Sequence, residues 1–252
     1  MQRIKPLYRS SYGGENVVTE LRYVDGDWQR TVEHVPNAVT NTQISNKAVV
    51  LGNGPSRTQL YPQGDLFYLL KNHRGGLLAA GAVQTYGCNA IVRDFIPDFV
   101  VANDEVAQEL INGGYCDQTI IYGTANMVLS YPGKFYLVPQ DPSWDMGARA
   151  AYLACFDGHK TVYLMGFDCY DGHESEHHVY NVYANTPGYP RSDEPNTESF
   201  FIQTMEQVIK TYSHVDFVRV MPTADYAMPD SWKYFLNLRQ ISFDAFVREV
   251  DL

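Results

Sequence analysis

The segment GHESEHHVYNVY, residues 172–183, sets His173, Glu174 and His177 in the order H-E-x-x-H. On a helix, that spacing puts two imidazoles on one face, where they can hold zinc while the glutamate acts as general base. Glu198, on a helical stretch further along, is a candidate third ligand. A short run separates Asp171-Gly172 from the break at Pro187-Gly188, and a zinc-protease helix is longer than that. A pattern with two free positions also arises by chance. The plainer expectation is a polar loop in which His177 or His178 serves as an acid–base group, since imidazole titrates near working pH.

Other chemistry-bearing residues follow short apolar runs. AVVLGNGPSR offers Gly52 and Gly54 for a tight turn, Asn53 as a strand-end amide, and Ser56 at a helix start whose amides favour an anion. It lacks the third glycine of G-x-G-x-x-G and the G-K-[ST] of a P-loop, so a purely structural turn is the alternative. WDMGARAAYLACFDG places Gly147 at the opening of an Ala-rich helix that ends at Gly158. In DFVVANDEVAQEL, Asp104 is either a ligand to a ribose hydroxyl or a metal, or the cap of the helix that begins at Glu105. Asp168 directly follows TVYLMGF, as a site residue or a loop brace. NVYANTPGYPR, which includes Arg191, reads as a lid over an acceptor or as an ordinary loop.

These residues need a frame that collects strand ends. Apolar runs recur at 48–52, 76–83, 98–104, 118–123, 134–139, 161–168 and 215–221, with helical stretches at 105–113, 146–158 and 197–213. Continuous apolar strands alternating with helices predict an α/β fold: a Rossmann-like, doubly wound, mostly parallel sheet over residues 47–252. Ligands in such sheets bind beyond the carboxyl ends of the strands. Residues 1–46 read as an irregular N-terminal extension in which VVTELRYV and DWQRTVEHV flank Asp25-Gly26, a hairpin signal. In the helix 197–213, the spacing of Phe200, Phe201, Met205, Val208 and Ile209 is that of a core face.

Composition narrows the partners. A net charge of −10 argues against duplex nucleic acid, whose phosphates need a basic face. No apolar run approaches the roughly 18 residues of a membrane span. Cys88, Cys116, Cys155 and Cys169 show no C-x-x-C spacing and read as thiols in a reduced, cytoplasmic setting. No signal peptide is visible at the start of the chain.

Taken in order, VVLGNGPS, YGCNAIVRDFIPDFVVAND and MGARAAYLACFDGHKTVYLMGFDCY resemble the superfamily of the small bacterial sialyltransferases of the lipooligosaccharide type. They are also similar to the motility-accessory-factor family and to the MptE-like 6-hydroxymethylpterin diphosphokinases. The resemblance spans about residues 47–221. It implies a glycosyltransferase that uses a nucleotide-sugar donor, CMP-linked, with inversion and no obligate metal, and a glycan or small-molecule acceptor; a homo-oligomer is a separate expectation. On this resemblance Asn53 and Asn89 contact the donor and Gly147 lies in the nucleotide loop, where Asp145-Met146 replace the family's Thr-Ser. Tyr163 and Tyr170 stabilise the leaving phosphate, as phenols can without a metal. The family's general-base histidine has no counterpart in NVYANTPGYPRS, which turns attention to His173, His177 and His178. The diphosphokinase alternative implies ATP and Mg, held by Asp104, Glu105 and Asp168. A nucleotide-binding module without catalysis is the third reading.

Overall fold

The structure, a computed structural model, describes residues 2–4, 15–36, 45–60, 70, 83–139, 143–168, 181–189 and 198–250. At its centre, β4 (Lys47–Leu51) is buried from Ala48 on, and its side chains alternate between two cores. Ala48 and Val50 face one, Val49 and Leu51 the other. A strand covered on both faces is the reason this stretch reads as unbroken aliphatic residues.

From β4 the chain moves outward through β5 (Gln84–Cys88), β6 (Phe99–Val101), β7 (Ile120–Gly123) and β8 (Tyr136–Leu137). It then returns to the other side of β4 with β9 (Thr161–Met165), β10 (Asp216–Met221) and β11 (Leu238–Ser242). The order is β11-β10-β9-β4-β5-β6-β7-β8, and every pairing is parallel. The fold is therefore a Rossmann-like α/β sheet whose direction of winding reverses between β4 and β9.

One face is covered by α4 (Met146–Phe156) and α5 (Glu198–Thr211), the other by α2 (Ala107–Asn112), α3 (Ala125–Ser130) and α6 (Phe243–Val250). Gly147, Ala148, Ala150, Ala151 and Ala154 are buried in α4, and their small side chains let the helix lie close on β4, β5 and β6. In α5 the buried stripe runs through Met205, Val208 and Ile209 and continues to Tyr212 just beyond the helix, whereas Phe200 lies outside the stripe, 42% exposed. At the far end of α4, Tyr86 donates to Asp157 (2.7 Å) and meets His159 Nε2 (2.9 Å), which closes the base of the core with polar groups that satisfy one another.

Two sequence expectations need correction. The strand that pairs with β4 is QTYGC, Ala48↔Gln84 to Leu51↔Gly87, which no aliphatic run marks; the run expected at 76–83 lies, up to residue 82, outside the described residues. Polar residues enter this strand because Asp98 satisfies Thr85, taking bonds from its amide and its hydroxyl, both at 3.0 Å. The N-terminal extension is not irregular where it is described. β1 (Gln2–Ile4), β2 (Glu15–Val24) and β3 (Asp27–Pro36) make a three-stranded antiparallel sheet. Its hairpin closes at Asp25 and Gly26, both at positive φ (52° and 90°), as a two-residue turn between twisted strands requires.

Candidate functional site at the strand ends

The carboxyl ends of β4 and β9 flank the reversal of winding, where sheets of this kind open a crevice. Here the crevice is filled. Gly54 N donates to Gly166 O at 2.9 Å, and a methyl on Gly54 would sit 1.9 Å from Asp168 Oδ2. A methyl on Gly52 would lie 2.6 Å from Gly166 O and 3.2 Å from the ring of Phe167. One on Gly147 would lie 3.4 Å from the same ring. The two glycines of GNGPS are thus needed for close backbone approach to the turn after β9, and Phe167 plugs the gap under the start of α4.

Both helix starts at this edge already carry a carboxylate. Asp168 Oδ1 accepts from Ser56 N (3.0 Å) and Oδ2 from Ser56 Oγ (2.8 Å), at the beginning of α1 (Ser56–Leu60). Asp145 Oδ1 accepts from Gly147 N (2.8 Å) and Ala148 N (3.2 Å), while its Oδ2 accepts from Thr204 Oγ1 (2.6 Å). Burial pushes both carboxyls above their usual range, against the pull of these hydrogen bonds. Buried Arg219 fixes the β9 turn by donating to the carbonyls of Phe167 (3.0 Å) and Asp168 (2.6 Å). The phosphate positions expected at Ser56 and Gly147 are therefore taken by the chain's own anions, and Asp168 is a brace.

The remaining recognition chemistry lies one strand over. Asn53 and Asn89 stand at the ends of neighbouring β4 and β5. Asn89 adopts φ 49°, a conformation asparagine tolerates better than most residues, and its Oδ1 accepts from Asn103 N at 2.9 Å. Asn53 Nδ2 reaches the Tyr189 hydroxyl at 3.3 Å and Cys88 O at 3.4 Å. Ala90 N also donates to that hydroxyl, at 3.4 Å.

Tyr189 belongs to residues 181–189, which cross the ends of β4 to β6 as a strap. Val182 N donates to Asn53 O (2.9 Å) at one end, and Gly188 packs on Val106 at the other. Between them the Tyr183 ring lies against two guanidiniums, 5.5 Å from Arg57 and 5.4 Å from Arg93. Its hydroxyl donates to Asp94 (2.6 Å) and accepts from Arg57 (3.1 Å). Arg93 grips Glu109 with two 2.6 Å bonds and also donates to Thr186 Oγ1 and Pro187 O. Sequence reasoning singled out the loop but neither Tyr183, Tyr189, Arg57, Arg93 nor Asp94. The Pro187-Gly188 turn and the density of rings were the available signals.

The remaining candidates separate. Asp104 does not cap a helix: it accepts from Thr124 Oγ1 (3.1 and 3.0 Å) and Asn126 Nδ2 (2.7 Å) beyond β6 and β7. Three strand spacings, about 14 Å, separate it from Asp168, so Asp104, Glu105 and Asp168 do not meet on one ion. Among the described residues no group of three or more His, Cys, Asp or Glu side chains is placed to hold a metal. Tyr163 is not at the strand ends. It is buried within β9, its ring on Phe246 and its hydroxyl donating to Glu249 at 3.2 Å, so it does not face a donor phosphate. Tyr170, Arg191 and the histidines 173, 177 and 178 lie outside the described residues. Cys88, Cys116 and Cys155 are free thiols; burial pushes Cys88 up to about 12. No helix among the described residues is long and apolar enough to cross a membrane. Comparison with protein-family models, with curated proteins and with solved structures finds no match, so the functional reading rests on the geometry of Asn53, Asn89 and the strap over them.

Proposed function

We propose that the chain is a glycosyltransferase that takes a nucleotide-sugar donor, CMP-linked, over the carboxyl ends of β4 and β5. The observation that carries this reading is the convergence of two neutral donors from the ends of β4 and β5, Asn53 Nδ2 and Ala90 N beside Asn89, on one oxygen, that of Tyr189. Neutral amides suit a sugar or a single phosphodiester. They suit a polyphosphate less well, given the carboxylates of Asp94, Asp104, Asp145 and Asp168 along the same edge and a net charge of −10. A CMP-linked sugar carries one phosphate charge, whereas ATP carries several and needs a metal to share them. The acceptor hydroxyl attacks the anomeric carbon, and the bond to the cytidine phosphate breaks. The phosphate leaves with that electron pair, and His177 or His178 takes the acceptor proton.

Isothermal calorimetry with CMP, CDP, UDP, ADP and ATP, each with magnesium and with EDTA, tests the donor class. Metal-independent binding of CMP is the expected result; binding of ATP alone, and only with magnesium, overturns the reading. Turnover of a CMP-sugar by His177→Ala and His178→Ala tests the proton acceptor. One of the two is expected to lose activity by about 100-fold with CMP affinity nearly unchanged. Full activity in both removes these histidines from the mechanism.

A further inference from the structure

We infer that the strap, residues 181–189, is a displaceable self-ligand: the Tyr189 hydroxyl holds the place of a ligand oxygen between Asn53 and Ala90, and the strap leaves when the ligand enters. The identity of that ligand, a CMP-linked sugar, rests on the function proposed above.

The first support is the chemistry around the Tyr189 oxygen. Asn53 Nδ2 and Ala90 N both donate to it. Among the described residues, the phenol's own proton has no acceptor. Two donors that converge on one oxygen suit an atom that only accepts, such as that of a phosphate, better than they suit a hydroxyl.

The second support is how unevenly the strap is held. Its contacts in the donor pocket are long, 3.3 and 3.4 Å. Those of its outer anchors, Tyr183 to Asp94 and Arg93 to Thr186 and Pro187, are all 2.6 Å. Its tighter bonds therefore lie outside the donor pocket, and a segment held mainly at its anchors can open locally well before a whole domain unfolds. The third is location. The strap spans the carboxyl ends of β4, β5 and β6, which is where a ligand of this sheet belongs. Lifting it also takes Tyr183 off the guanidiniums of Arg57 and Arg93, which keep their carboxylate partners Asp94 and Glu109.

The experiment combines hydrogen exchange of the full chain, with and without CMP, and calorimetry of Thr186→Ala and Tyr189→Phe. Thr186→Ala removes the bonds to Arg93 and to Tyr183 O without touching the donor pocket. Tyr189→Phe withdraws the competing oxygen. The inference expects CMP to bind both variants at least about fivefold more tightly than the native chain, because less binding energy goes into shifting the strap. It also expects CMP to speed exchange at the Val182 and Tyr189 amides. If CMP slows exchange there, or if neither variant binds more tightly, the strap is a fixed part of the site and the inference falls while the donor reading stands. If CMP binds none of the proteins, the donor reading falls, and exchange in the ligand-free chain decides the strap. Opening of Val182 well ahead of the buried core amide of Val50 supports a displaceable segment; exchange only with global unfolding overturns it.

Discussion

Gly54 and Asp145 show how single side chains at this edge are held against their neighbours. A methyl at Gly54 has no room beside Asp168 Oδ2, so Gly54→Ala must push apart the β4 and β9 turns. The expected cost is about 2–3 kcal/mol, or a melting temperature lower by roughly 5–10 °C in calorimetry. A variant that melts with the native chain contradicts the close approach. Asp145 has its carboxyl raised by burial, so its contribution to stability is fully present below its unfolded value and is lost as pH rises through the folded one. Asp145→Asn keeps an oxygen for Gly147 N and Ala148 N without the charge. The variant is therefore expected to melt above the native chain at pH 7, with the gap closing toward pH 4. A gap that widens on acidification would show that the fold favours the carboxylate. Tyr163→Phe removes one bond to Glu249. It should leave turnover intact and change stability by about 1 kcal/mol; lost turnover would return this tyrosine to the chemistry.

At the scale of elements, the site is made by adjacency in the sheet. Asn53 and Asn89 are distant in sequence and meet because β4 and β5 pair in parallel with Leu51 opposite Gly87. Asn89→Asp keeps the acceptor for Asn103 N and loses the donor toward the pocket, so the fold should persist while CMP binding weakens by tenfold or more. Unchanged affinity would place the donor elsewhere. The strands and helices themselves could be read from aliphatic runs and turn residues, and Asn53 and Asn89 could be singled out as strand-end amides. QTYGC could not be recognised as a strand, because its polar residues become tolerable only through Asp98, a partner in another element. Nor could the sequence reveal that Asp168 and Asp145 would occupy the two helix starts. That depends on how closely the β4 and β9 turns and α4 pack around Phe167, and each aspartate alone suits a site as well as a brace. Tyr163 misled for a related reason: a tyrosine in an apolar run can point to either face, and this one packs under α6.

The whole molecule divides its labour between the two ends of one sheet. At the base, buried Tyr86, Asp157 and His159 bond one another. At the opposite edge, neutral donors converge over β4 and β5, beside the carboxylates. The central claim is that Asn53 and Asn89 receive a CMP-linked donor there without a metal. Calorimetry of CMP binding to the native chain and to Asn53→Ala, in EDTA, tests it most directly. The account expects one-to-one binding to the native chain, weakened by about 10- to 100-fold in the variant, the loss of a hydrogen bond to a charged group. No binding to the native chain, or equal affinity in both proteins, would contradict it.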